Sequence, residues 1–187
     1  MVLRAAIVTL IALCHAAMAI ETPDCKVIER DGKFEIRDYA EMTVARTTMG
    51  DGDFMRLFRY ISGGNETEQK IAMTAPVLVQ HKGEKSGMSF VVPREVAAAK
   101  VPAPEAAEVS VDKMPAARFA VFTYSGLRAD SNEADALKKL RAWMEKKNLR
   151  AEGEPVFAYY DPPWTLPFMR RNEVMLRVAG EQRNLSE

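Results

Sequence analysis

The chain has 187 residues, 48% of them hydrophobic, and its 26 Lys and Arg side chains balance 26 Asp and Glu side chains. This length suffices for one domain with a sizeable hydrophobic core. A net charge of zero gives no reason to expect a nucleic acid or an anionic membrane as a partner.

The first residues have the composition of an export signal. Arg4 precedes an uncharged apolar run at residues 5–13, and small residues follow at 17–19. This order predicts a signal peptide over residues 1–19 that is cleaved after Ala19, and a protein that is exported to the periplasm or secreted. The apolar run is far shorter than the roughly 20 residues of a membrane span, so we expect no stable membrane insertion.

Cleavage would leave Cys25 and His81 as the last cysteine and histidine of the chain. A single cysteine can form neither an internal disulfide nor a thiolate cluster for zinc, so we predict no metal site. Cys14 would be the lipid anchor if the leader belonged to a lipoprotein. Leu13 disfavours that alternative, because it is bulky where such a signal needs a small residue.

Four strands are predicted in the first half of the chain. Residues 34–39 alternate apolar with polar side chains, and a second strand follows around residues 42–47. Residues 71–80 and 88–92 predict a hairpin with a polar turn. Pro76 cannot donate to a strand ladder, so it predicts an edge or a bulge in the third strand.

A helix is predicted between these two pairs of strands. Apolar residues recur there with the spacing of an amphipathic helix: Phe54, Leu57, Phe58 and Ile61. We expect these side chains to face the sheet. The opposite side of the helix would then carry Met55, Arg56, Arg59 and Tyr60.

The second half repeats this order after residues 94–108, which are rich in Ala, Pro and Glu and predict a surface linker. Two strands (109–111 and 118–124), a helix (130–148) and two more strands (155–160 and 172–178) are predicted there. Asp130 and Glu133 at the start of the helix resemble a capping box.

The predicted fold class is therefore α+β. Two ββαββ-type units, at about residues 23–93 and 109–178, would pair their strands into one antiparallel barrel with the two helices outside it. We expect a single domain over residues 20–187.

Four motifs resemble the SOUL haem-binding protein family in order and spacing. They are FEIRDY (34–39), KIAMTAPV (70–77), MSFVVP (88–93) and YYDPPWTLPFMRRNEV (159–174). The resemblance extends over about residues 23–178. It implies a distorted eight-stranded antiparallel β-barrel with two flanking helices, similar to the gyrase-inhibitor-like small-molecule binding domains. It also implies non-covalent binding of haem or another tetrapyrrole, and we expect a monomer.

A tetrapyrrole is a flat apolar disc with two propionates, so its site needs an apolar cleft with cations at the rim. Two groups of residues suit it: Met55, Arg56, Arg59 and Tyr60 on the first helix, and Trp164, Phe168, Arg170 and Arg171 in the Pro-rich loop (residues 161–171) between the last two predicted strands. Each group also has a purely structural interpretation. The helix residues would form a solvated face, whereas Trp164 and Phe168 would plug one barrel end while Arg170 or Arg171 pairs with Glu173.

The iron of haem has no obvious protein ligand in this sequence. His81 lies in the predicted hairpin turn, where we expect it to be exposed, and the absence of a C-x-x-C-H motif excludes covalent attachment. We predict no catalytic residues. The alternative is a gyrase-inhibitor-like binding domain or a hydrolase, in which a partly buried Glu173 with a raised pKa acts as a base or meets a cation.

Overall fold

A computed structural model describes residues 20–47, 52–82 and 85–180, so the predicted leader over residues 1–19 lies outside the described residues. The described residues form nine strands: β1 Cys25–Asp31, β2 Phe34–Tyr39, β3 Met42–Thr47, β4 Val77–Lys82, β5 Lys85–Val91, β6 Ser110–Met114, β7 Ala117–Tyr124, β8 Ala151–Tyr159 and β9 Asn172–Val178. Three α-helices accompany them: α1 Asp53–Ile61, α2 Arg94–Ala98 and α3 Asp130–Lys146. The α+β class is confirmed. The predicted numbers of strands (eight) and helices (two) are wrong.

The strands form one curled antiparallel sheet in the order β1-β2-β7-β9-β8-β4-β5-β3-β6. The order of the eight strands after β1 is symmetric. If each of β2, β3, β4 and β5 trades places with β6, β7, β8 and β9 respectively, the same order is read in reverse. The pair β4 and β8 therefore lies at the centre of a two-fold repeat. Among the described residues no pairing joins the end strands β1 and β6, so the sheet is a half-barrel rather than a closed barrel.

The strand missed by the sequence is β1, which pairs with β2 at the edge of the sheet. All of its residues are exposed. It therefore lacks the apolar alternation that marks a half-buried strand, and periodicity could not predict it.

The two predicted helices are present as α1 and α3, and α2 forms at the start of the predicted linker. The five residues of α2 bury none of their side chains, which explains why no apolar period indicated it. The predicted capping box of α3 is wrong, because Ala129 is the N-cap residue and no side chain caps the helix. No helix in the described ranges has the length and apolar composition needed to cross a membrane.

Strand β4 begins at Val77, later than predicted. The segment before it uses its backbone groups elsewhere: Ile71 N–H donates to the Ile61 carbonyl at 2.8 Å, and Ala75 N–H donates to the Glu21 carbonyl at 2.9 Å. These bonds satisfy buried amides outside a strand ladder. The segment thus ties the end of α1 and the N-terminal residues to the sheet.

The sheet separates two apolar clusters, because successive side chains of a strand point to opposite faces. One cluster lies between the sheet and the helices and includes Leu57 of α1 and Leu140 of α3. The other consists of strand residues such as Leu78 and Phe119, together with residues beside the strands. We call these two sides the helix-bearing face and the helix-free face.

Candidate functional site

The outward side of α1 is more apolar than predicted. Phe54 and Phe58, expected to face the sheet, are 42% and 44% exposed, and their rings stack with centroids 6.1 Å apart. Met55 beside them is exposed as well. Phe54 still reaches the sheet through an edge-to-face contact with Phe90, at 5.4 Å between centroids. The helix therefore presents a stacked aromatic pair to the outside.

Tyr60 was predicted on the outer side of α1, and this is wrong. Its side chain is only 2% exposed, and its hydroxyl donates to the Pro102 carbonyl at 2.9 Å. Leu57 and Ile61 are buried whether the helix turns Phe54 and Phe58 or Tyr60 toward the sheet. These two orientations differ by a modest rotation about the helix axis. The Pro102 carbonyl, which accepts this hydrogen bond, is 42 residues away in the chain. The orientation of the helix that buries Tyr60 therefore involves a contact with a distant segment.

The two arginines of α1 have different surroundings. Arg56 is partly buried and pairs with Asp53 at 3.2 Å between Nη1 and Oδ1, and Thr47 Oγ1 also donates to that carboxylate. Arg59 is exposed and lies four residues after Met55, on the same side of the helix. Arg59 is therefore the cation beside the aromatic pair.

Strand register links α1 to the start of the Pro-rich loop. Phe90 pairs with Val77, and Val77 pairs with Tyr159, the last residue of β8. Directly paired residues point to the same face, and neighbouring strands lie about 4.8 Å apart, so Phe90 and Tyr159 are separated by roughly 10 Å across the helix-bearing face. The Phe54 side of α1 and the beginning of the loop thus flank the same end of the sheet.

A polar cluster lies at the Tyr159 end of this row. The Tyr159 hydroxyl donates a hydrogen bond to buried Glu133 of α3, and His81 Nε2 lies 2.8 Å from the other oxygen of that carboxylate. Burial and the hydrogen bond to Glu133 raise the pKa of the Tyr159 hydroxyl well above its ordinary value. His81 is therefore a partly buried strand residue, and its predicted place in an exposed turn is wrong.

Arg128 adds a cation that the sequence did not indicate. Its guanidinium lies over the Tyr159 ring, 5.1 Å from the centroid. It precedes α3 in a segment without apolar periodicity, so no pattern could have marked it. Arg59 and Arg128 are both exposed. Arg59 lies on the α1 side of this face, and Arg128 lies on the Tyr159 side.

The Pro-rich loop does not plug the barrel. Trp164 is 84% exposed and Phe168 74% exposed, which overturns the structural interpretation of these two residues. Arg170 holds the loop from within, because its guanidinium donates to the carbonyls of Thr165 (2.8 Å) and Pro163. The loop is thus an ordered apolar projection, and Arg170 is committed to its own backbone.

The Arg171 side chain is directed toward the helix-free face of the sheet. It donates to Glu173 Oε1 through Nε at 3.1 Å and Nη2 at 2.8 Å, as one of the predicted alternatives had it. Arg37 donates to both oxygens of the same carboxylate at 2.9 and 3.0 Å, and Tyr160 O–H donates at 2.9 Å. Arg37 was not a predicted site residue.

Glu173 is fully buried, and the premise of a raised pKa is wrong. Burial alone would raise the pKa of this carboxyl, but the hydrogen bonds and charges of Arg37 and Arg171 outweigh it and hold the pKa below its ordinary value. Its oxygens are occupied by donors, so the carboxylate is neither a free base nor an open partner for a cation. In the described part of the chain, no group of three or more His, Cys, Asp or Glu side chains could hold a metal ion.

A sequence model described as "SOUL heme-binding protein" matches residues 20–177. The chain belongs to the SOUL heme-binding protein family. It is 40% identical over 74 residues to Heme-binding protein 2 of Homo sapiens, a match that covers 33% of this chain and 36% of the human protein. The chain thus matches about a third of that relative's length.

Solved structures share the fold. The C-terminal domain of EcmrR superposes with a TM-score of 0.60 and 14% identity, covering 78% of this chain and 96% of that domain. A protein from Listeria innocua described as a hydrolase superposes with a TM-score of 0.56 and 15% identity, covering 81% of this chain and 94% of the other. At these identities the likeness shows the fold alone.

Proposed function

We propose that this member of the SOUL family binds haem or a related tetrapyrrole non-covalently on the helix-bearing face, between α1 and the start of the Pro-rich loop. The observation that carries the proposal is the exposed, stacked pair of Phe54 and Phe58 beside Met55. Exposed apolar side chains that lie next to one another mark interaction or ligand sites more often than scattered single ones do.

The residues on this face suit the chemistry of a tetrapyrrole. The flat macrocycle would lie against the Phe54 and Phe58 rings, with the flexible Met55 side chain adapting to its edge. Arg59 and Arg128 would pair with the two propionates as charge-assisted donors. When bound, haem would supply an iron centre for electron or ligand exchange. Tyr60 is left out because it is buried.

The Pro-rich loop would border the same site. Trp164 and Phe168 are exposed on it and would add apolar surface next to the Tyr159 end of the face. Arg170 would contribute by keeping the loop in shape, since its donors point to the loop's own carbonyls. Arg171 faces the other side of the sheet and is assigned no propionate. Hydrolysis by Glu173 is not proposed, because its oxygens are saturated.

Titration of the purified protein with hemin tests this proposal. We expect a saturable shift of the Soret band at micromolar concentration, weakened several-fold by Phe58→Ala and by Arg59→Gln. Arg141→Gln, which alters an exposed arginine of α3, is the matched control and should leave the titration unchanged. A featureless titration that matches free hemin in buffer would contradict the proposal.

The iron ligand is tested separately. Nε2 of His81 is engaged by Glu133, so we expect His81→Ala to leave the Soret position unchanged. A shifted Soret band in this variant would show that the imidazole leaves Glu133 to ligate the iron.

Export before binding is part of the proposal and rests on the sequence of residues 1–19. We expect the mature protein isolated from its native source to begin at Ile20. An intact N-terminus in the isolated protein would contradict cleavage at Ala19.

A further inference from the structure

The helix-free face contains a cavity that the proposed haem site does not use. Its volume is about 430 Å³, within the range of roughly 300–1,000 Å³ typical of small-molecule sites. Leu78, Phe119 and Met175 of the helix-free apolar cluster line it. The cavity therefore opens on the opposite side of the sheet from α1 and α3.

The upper walls of the cavity are apolar and adaptable. Met42 and Met114, on neighbouring strands β3 and β6, line it and are only partly buried. Unbranched methionine side chains adjust to irregular apolar shapes. This part of the cavity suits a hydrocarbon or ring body without fixing its outline.

Its base is charged and is built around the buried carboxylate of Glu173. Arg37, which is buried, and Arg171, which is half exposed, both line the cavity and both hold Glu173 beneath it. The Arg171 guanidinium also lies over the Tyr160 ring, 4.0 Å from the centroid. These contacts fix the positions of two guanidiniums before any ligand arrives.

The donors left at this base favour an anionic ligand. Arg171 uses Nε and Nη2 on Glu173, which leaves Nη1 for another acceptor. Tyr39 accepts a hydrogen bond from Arg37 Nη1 at 3.1 Å, so its own proton can be donated. Desolvation raises the pKa of Tyr39 to about 12, which keeps it a donor at neutral pH.

The charge balance agrees with these donors. Three guanidiniums, of Arg30, Arg37 and Arg171, meet two carboxylates, of Glu35 and Glu173. Each carboxylate is shared by two of the guanidiniums. One positive charge is therefore in excess, and a cationic ligand would find both carboxylates occupied.

We propose that this cavity is a second binding site, specific for an amphipathic organic anion with an apolar body and a single carboxylate. The carboxylate lies against Arg171 and the Tyr39 hydroxyl, and the apolar body extends past Phe119 toward Met42 and Met114. The site is independent of the proposed haem site, because the two lie on opposite faces of the sheet.

Calorimetric titration with two probes of equal chain length tests the charge preference. Dodecanoate and dodecyltrimethylammonium are each added below their micelle concentrations. We expect saturable binding of about one dodecanoate per protein and at least tenfold weaker binding of the cation. Equal binding of both probes, or no saturable binding of dodecanoate, would overturn the proposal.

Three variants locate the site. Arg171→Gln keeps Arg37 on Glu173 and should weaken dodecanoate about tenfold, the effect of losing one charge-assisted hydrogen bond. Tyr39→Phe should weaken it several-fold. Met114→Trp fills the cavity without touching the ion pairs and tests the site even if Arg171→Gln is poorly folded. Unchanged affinity in Arg171→Gln and in Met114→Trp would sink the assignment, whereas Arg141→Gln should bind normally.

Hemin separates this proposal from the previous one. We expect saturating dodecanoate to leave the hemin titration unchanged, and Phe58→Ala to leave dodecanoate binding unchanged. Displacement of dodecanoate by hemin would assign both ligands to one cavity and overturn the separation of the sites.

Discussion

Glu133 and Glu173 are both buried, on opposite faces of the same sheet, and they are held in opposite ways. Glu173 accepts hydrogen bonds from two guanidiniums, of Arg37 and Arg171. Glu133 is held by the Tyr159 hydroxyl and the His81 ring. One face therefore fixes a permanent ion-pair network, and the other holds its carboxylate with groups that carry no permanent charge.

This difference separates the two proposed sites chemically. On the helix-free face the guanidiniums lie at the base of the cavity and their positions are set by Glu173. On the helix-bearing face the exposed cations, Arg59 and Arg128, lie at the margins of an apolar surface. The first arrangement suits a buried head group, and the second suits a flat ligand with acidic edges.

The largest expected effect comes from breaking the ion-pair network. Arg37→Met leaves the fully buried Glu173 with half of its charge compensation, and removing one partner of a buried pair costs about 3–5 kcal/mol. Urea unfolding measures the loss. Arg118→Met breaks an exposed pair with Asp38 and should cost a small fraction of that. Equal losses in the two variants would refute the special role of burial here.

A smaller loss is expected on the other face. Glu133→Leu leaves the Tyr159 hydroxyl without this acceptor in a buried setting, which costs about 1–3 kcal/mol. Glu133→Gln keeps an acceptor oxygen and should recover part of the loss. If Glu133→Leu proves as damaging as Arg37→Met in urea unfolding, the contrast between the faces is wrong.

Acid should act through Glu173. Its pKa is lower in the folded protein than its ordinary value of 4.5, so the unfolded chain takes up this proton first as the pH falls. The stabilisation is therefore complete above the unfolded pKa and is lost as the pH falls through the folded pKa. Unfolding followed from pH 6 to pH 3 measures this slope. The slope should flatten in the double variant Arg37→Met/Glu173→Leu, and an unchanged slope would assign acid sensitivity to other carboxyls.

The smallest effects concern ligand binding alone. Phe58→Ala should weaken hemin several-fold and leave dodecanoate unchanged, and Met114→Trp should do the reverse. Both side chains are partly exposed, so neither change should lower the urea midpoint much. A variant that weakens both ligands equally would show that the two faces are coupled.

The elements with an apolar period were predicted from the sequence: strands β2 to β9 and the helices α1 and α3. The four motifs also indicated the SOUL family, which the family match over residues 20–177 confirms. Strand β1 and helix α2 were missed, because neither buries the alternating or periodic side chains that such a prediction requires.

Sequence by itself determined the strands and helices that bury a periodic apolar face and the family to which the chain belongs, because these depend on local periodicity and contiguous motifs. Only the tertiary structure decided that Tyr60 is buried, that His81 meets Glu133, and that Arg37 reaches Glu173 across 136 residues of chain. Strand register and helix rotation set these contacts. Both are fixed by packing between distant segments, which no local pattern records.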